Sequence, residues 1–170
     1  EDDAIVVAPG FEAVLRQDVA SSRANIELHG VGAAAQIEGE DPPHALVRLL
    51  EFARKDPLVA YHVAFDATVL RRAIKAQLGM RFHGEWLDIA VLAPLKFPDF
   101  ARSQRGLGGW LARFGIDPGA RHNALADAYA TAQLFQIVAR RAARDKQTRL
   151  HDLMTMAGEH ASARTGHAGH

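Results

Sequence analysis

The sequence predicts an α/β fold, and three observations carry that expectation. After Pro57, residues 58–61 (LVAY) form a short, continuous apolar run suited to a buried strand; from Ala64 the pattern switches to helical period and stops at Gly79. A strand running directly into a helix is the pattern of alternating α/β domains. Near the start, residues 4–8 (AIVVA) and 11–15 (FEAVL), parted by Pro9-Gly10, read as two short strands joined by a turn, so the chain opens in the middle of a sheet. Toward the end, residues 123–145 are alanine-rich and helix-favouring, with Leu134, Phe135 and Val138 on the apolar face.

The remaining elements follow from caps and periodicity. Asp41-Pro42-Pro43 supplies a cap and a first-turn proline, and Leu46, Leu49, Leu50 and Ala53 then fall on one face of a helix. Residues 86–92 are apolar apart from Asp88 and fit either a strand end or a helix; periodicity does not decide between them. Leu107, Trp110, Leu111 and Phe114 make a helical stripe closed by Gly115, and Asp117-Pro118-Gly119 is a turn. Beyond Ala157 the glycines, Ser162 and three histidines read as a flexible tail, residues 158–170, which leaves residues 1–157 as a single domain.

Composition narrows the chemistry. At 170 residues and 48% hydrophobic, the chain can bury one sizeable core. No stretch approaches the roughly 18 apolar residues of a membrane span, and Glu1-Asp2-Asp3 is unlike a basic signal-peptide start, so a cytoplasmic, membrane-free protein is expected. With no cysteine, any metal must be held by carboxylates or histidines, which favours Mg²⁺ or Mn²⁺. Twenty basic residues balance twenty acidic ones, against the broad basic footprint of a duplex binder. An enzyme that contacts only a few nucleotides at a strand end is not excluded by that balance, because bound cations themselves neutralise phosphate.

Two carboxylates stand out. Asp66 falls where the 58–61 strand gives way to a helix, and it shares the helical face of Leu70, Ala73 and Ile74. A carboxylate there either caps the helix or binds a ligand. Asp127 lies in the first turns of the last long helix, on the face of Thr131, Leu134 and Phe135. His122 precedes it by five residues, in a loop from which an imidazole could swing above the carboxylate as a general base; an exposed loop histidine is the plainer reading. His29-Gly30 marks a turn, His44 a helix edge and His83 a polar loop, and Asp88 suits a hydrogen-bonded supporting role. There is no phosphate-binding glycine loop, nucleophile elbow, zinc-type His-Glu-x-x-His or EF-hand loop, and the aromatics are too sparse for a stacking platform.

Taken together, these residues resemble the DEDD-type, DnaQ-like exonucleases, in the subgroup whose third motif carries a histidine. Residues 62–66 (HVAFD) resemble the family's second motif, His-Asn-x-x-Phe-Asp, and residues 122–127 (HNALAD) the third, His-x-x-x-x-Asp. Residues 28–31 (LHGV) resemble the His-Gly-Ile turn between the first and second motifs. The resemblance spans about residues 4–145. It implies a ribonuclease-H-like mixed sheet flanked by helices, and a metal-dependent 3′-to-5′ exonuclease that releases nucleoside 5′-monophosphates from single-stranded DNA or RNA. It also implies the roles: His122 takes the proton from water, Asp127 and Asp66 serve the metals, and His62, Phe65 and His29 contact substrate. Two Mg²⁺ or Mn²⁺ ions are the implied cofactors, and a DNA polymerase is a candidate partner.

Two departures stand beside the resemblance. Val63 occupies the place of the usual asparagine, removing a hydrogen-bonding group. No Asp-x-Glu first motif occurs upstream of His29, although the family draws direct metal ligands from it. Asp66 and Asp127 alone are too few to hold two cations about 4 Å apart. The expectation is therefore a chain lacking its N-terminal strand or strands and inactive by itself, with a non-catalytic module that binds nucleic acid or a protein as the alternative.

Overall fold

The computed structural model describes residues 10–101, 106–119, 123–146 and 149–166. Among these the chain forms α1 (Arg23–His29), α2 (Ala33–Ile37), α3 (Pro42–Ala53), β1 (Leu58–Ala60), α4 (Val63–Leu78), β2 (Trp86–Asp88), α5 (Ile89–Lys96), α6 (Pro98–Ala101), α7 (Gly106–Phe114), α8 (Ala124–Arg144) and α9 (Leu150–Gly166).

At its centre is a β1-α4-β2 unit. The strands pair in parallel, with Leu58 opposite Trp86, Val59 opposite Leu87 and Ala60 opposite Asp88. Successive strand residues face opposite sides, so the sheet divides the apolar residues into two sets. Val59 and Leu87 face the larger one, where Leu87, Ile89, Leu92, Trp110, Leu111, Ala130, Leu134, Val138 and Leu153 are buried together from β2, α5, α7, α8 and α9. Trp86 faces the smaller set, beside Leu46 of α3 and Leu70 and Ala73 of α4. Each fully buried aliphatic side chain contributes about 1.5–3 kcal/mol, so the larger set dominates stability.

The helix boundaries have local causes. α4 stops where Gly79 turns left-handed at φ 67°, and Lys75 Nζ donates to the Gly79 carbonyl at 3.3 Å. α8 starts where Asn123 Oδ1 accepts the Ala126 N–H at 3.0 Å, and Arg141 and Arg144 in its last turn suit the negative end of the helix dipole. The 107–114 stripe is α7, ended by Gly115 at φ 65°, and the turn that follows closes with the Gly119 N–H donating to Asp117 Oδ1 at 2.9 Å.

Several expectations are corrected. Residues 11–15 do not form a strand: Leu15 alone makes a bridge, parallel to Glu40. The hydrogen bonds from Arg16 N to Glu40 O (2.9 Å) and from Glu40 N to Val14 O (2.7 Å) hold it, and Gly39 is required beside it because a Cβ there would sit 2.6 Å from the Val14 carbonyl. The strand expected over residues 4–8 lies outside the described residues. Among the described residues the sheet has two parallel strands, which makes a helix-rich α/β domain with a small sheet. β1 is half-buried where full burial was expected. Residues 86–92 are neither strand nor helix throughout: β2 passes into α5 at Asp88. Asp41 sits at the start of α3, but its carboxylate pairs with Arg16 at 2.9 Å and makes no capping bond. α9 runs through Gly166, past the point where the composition predicted the ordered chain to end. Among the described residues no helix is long and apolar enough to cross a membrane.

Candidate functional site

The C-terminal ends of the two parallel strands lie side by side, and the candidate residues of the 62–66 segment follow directly on the first of them. Directly after β1, His62 adopts a left-handed conformation, φ 66° and ψ 59°, which costs a non-glycine residue on the order of 1 kcal/mol or more. Asp88 at the end of β2 offsets that cost. Its Oδ1 accepts the His62 N–H at 3.0 Å, its Oδ2 the Val63 N–H at 3.1 Å, and Oδ1 also accepts the Ala90 N–H at 2.9 Å. One carboxylate therefore fixes where α4 and α5 both begin. The His62 ring is exposed and meets Tyr61 edge-on, with centroids 4.8 Å apart.

Asp66 lies in the first turn of α4. It forms part of the wall of an apolar cavity of about 320 Å³, with Phe11, Leu15, Leu46, Phe65, Leu70 and Trp86. The helix buries Ala67 and Ile74 instead, so Asp66 stands at the edge of the core-facing stripe and remains largely exposed. Partial burial in that wall, and after it the charge of Asp88, hold its carboxyl above the usual aspartate range, against its own backbone N–H, which lowers it. Phe65 stands at the rim, 73% exposed. The Trp86 indole N–H is buried in the same region with no hydrogen-bond partner.

Asp127 is half-buried in the first turn of α8 and faces a different cavity, of about 390 Å³, lined with Leu107, Gly108, Leu111, Ala112, Ile116 and Pro118. His122 lies outside the described residues. His29 is the last residue of α1, before Gly30 at φ 71°, and its side chain lies outside the described set. His44 pairs with Glu40 at 3.1 Å, on the surface.

Asp66 and Asp88 thus come together, while Asp127 lines a separate cavity. Among the described residues no three His, Asp or Glu side chains gather where a metal ion could be held. Asp88 takes the hydrogen-bonded supporting role expected of it, with three backbone partners at the starts of α4 and α5. Its one signal was an acid in an otherwise apolar run.

A parallel β-α-β unit with Asp88 at the carboxyl end of its second strand presents the edge at which α/β sheets hold their ligands. Comparison with known families makes the assignment specific. Residues 4–135 match the exonuclease (RNase T) family, and the chain belongs to it. No curated protein sequence matches the chain significantly.

Proposed function

We propose that the chain is the nuclease domain of a metal-dependent 3′-to-5′ exonuclease that releases nucleoside 5′-monophosphates from single-stranded DNA or RNA. The observation that carries this reading is the family match over residues 4–135, which contains both the 62–66 and the 122–127 motifs. Net hydrolysis breaks the bond between phosphorus and the 3′-oxygen of the penultimate nucleotide; water supplies a hydroxyl to phosphorus and a proton to the leaving oxygen. The roles are assigned by motif position: His122 takes the proton from water, Asp127 and Asp66 serve Mg²⁺ or Mn²⁺, and His62, Phe65 and His29 contact the strand end. The exposed Phe65 ring beside an apolar cavity supports the substrate assignment, because it offers a surface on which a terminal base can stack. A DNA polymerase as partner and a cytoplasmic location rest on the resemblance alone.

A second reading, a non-catalytic module that binds nucleic acid or a protein, is favoured by one observation: Asp66 and Asp127 line separate cavities, with no ligand cluster among the described residues. Digestion of a 5′-labelled single strand with Mn²⁺ separates the two. The assay uses this chain alone and the chain together with any coding sequence that precedes it. A ladder shortening from the 3′ end, lost with EDTA and with Asp127→Ala, supports the exonuclease. Strand binding without cleavage by either protein supports the module.

A further inference from the structure

The far half of α4 carries a second feature that neither motif uses. Arg71 and Lys75, one helical turn apart, join Arg81, Phe82, His83 and Gly84 of the α4–β2 connection around an open cavity of about 590 Å³. Among the described residues no carboxylate lines it. Arg71, Arg81 and His83 take part in no ion pair or side-chain hydrogen bond among the described residues, and Lys75 gives one hydrogen bond, to the Gly79 carbonyl. In a chain whose 20 basic and 20 acidic residues balance, three cations around one cavity with no acid facing them are a local excess that needs a counter-charge. A helix-dipole role accounts for Lys75, in the last turn of α4, but not for Arg81 and His83 across the cavity.

The aromatic member is fixed in place. The Phe82 ring lies so close to Gly84 that a Cβ there would fall 2.2 Å from it, and it meets Trp86 edge-on at 6.5 Å. A held aromatic ring among unpaired cations matches the alternation of base and phosphate along an unstacked strand. At about 100° per residue, Arg71 and Lys75 project about 140° and 180° round the helix from Asp66, so the cavity faces away from the candidate cleavage site.

We propose that this cavity is a separate anchoring site for single-stranded nucleic acid, with Arg71, Lys75 and Arg81 on the phosphates and Phe82 stacked on a base. The inference rests on the nucleic-acid reading of the chain but not on its being catalytic. The test is fluorescence anisotropy of a labelled oligothymidylate with the full chain in EDTA, across a salt series. Arg71→Glu with Arg81→Glu should weaken binding at least tenfold and flatten the slope of log affinity against log salt by about 1.4, about 0.7 for each phosphate of a single strand that an arginine no longer neutralises. Phe82→Ala should weaken binding by about fivefold or more, with Phe82→Tyr restoring it. Both arginines are exposed, and unchanged thermal melting confirms that the charge-reversed protein folds. Unchanged affinity and slope in the double variant would overturn the proposal, as would an acidic polypeptide that competes as well as the oligonucleotide. Sensitive binding, with no nuclease activity from this chain or from the chain together with any coding sequence that precedes it, would leave this site standing and remove the exonuclease; activity from either with insensitive binding would do the reverse.

Discussion

Replacing Asp88 by alanine would leave the amides of His62, Val63 and Ala90 without their carboxylate acceptor and His62 without the hydrogen bond that holds its left-handed backbone. Capping bonds of this kind are worth about 1 kcal/mol each, so chemical denaturation should show a loss of about 2–3 kcal/mol, with Asp88→Asn recovering part of it. Asp66 makes a prediction of opposite sign. Because the folded protein holds the Asp66 proton more tightly than the unfolded chain does, stability should fall as pH rises from about 3.9 toward the raised value. Asp66→Asn should abolish that fall, and urea titrations in EDTA across this window would detect it. The sequence placed Asp66 and Asp127 in the first turns of their helices because capping and periodicity are local. It could not assign Asp88 its partners, since two of them lie 25 and 26 residues away and depend on the register of β1 against β2.

The elements most legible in the sequence are those whose signals are local: α3 from its prolines, α4 and α7 from their closing glycines, α8 from its alanine-rich length. α1, α2 and α9 were not legible. α9 carries glycines and little apolar periodicity, and it is placed by packing Leu153, Met154 and Met156 onto the core beside β2 and α5. That contribution exists only once the partners are assembled. The short run FEAVL reads as a strand, yet among the described residues only Leu15 makes a bridge. A test at this scale lies between α5 and α8. Lys96, with a side chain 7% exposed, donates to Asp145 at 3.1 Å, where Asp145 closes α8. Asp145→Ala removes a carboxylate that a buried ammonium pairs with and should cost about 1–2 kcal/mol in thermal or urea unfolding, whereas Lys96→Met, which removes the buried charge itself, should cost less.

Across the whole molecule, the small parallel sheet separates a large core from a smaller apolar set beside the Asp66 cavity. α4 crosses between the strands and carries one candidate site at each end. The α/β class was legible because β1 and α4 adjoin in the sequence. The extent of the sheet was not, since pairing between distant segments leaves no local trace. Family membership and the two acids on helix first turns point to removal of nucleotides one at a time from a strand end. The most direct test is the identity of the first product: a single-stranded substrate incubated with Mn²⁺ and resolved by chromatography from the earliest time points. The account predicts nucleoside 5′-monophosphates from the outset, with no internal oligonucleotide fragments. Internal fragments, nucleoside 3′-monophosphates, or a strand that stays bound and intact would contradict it.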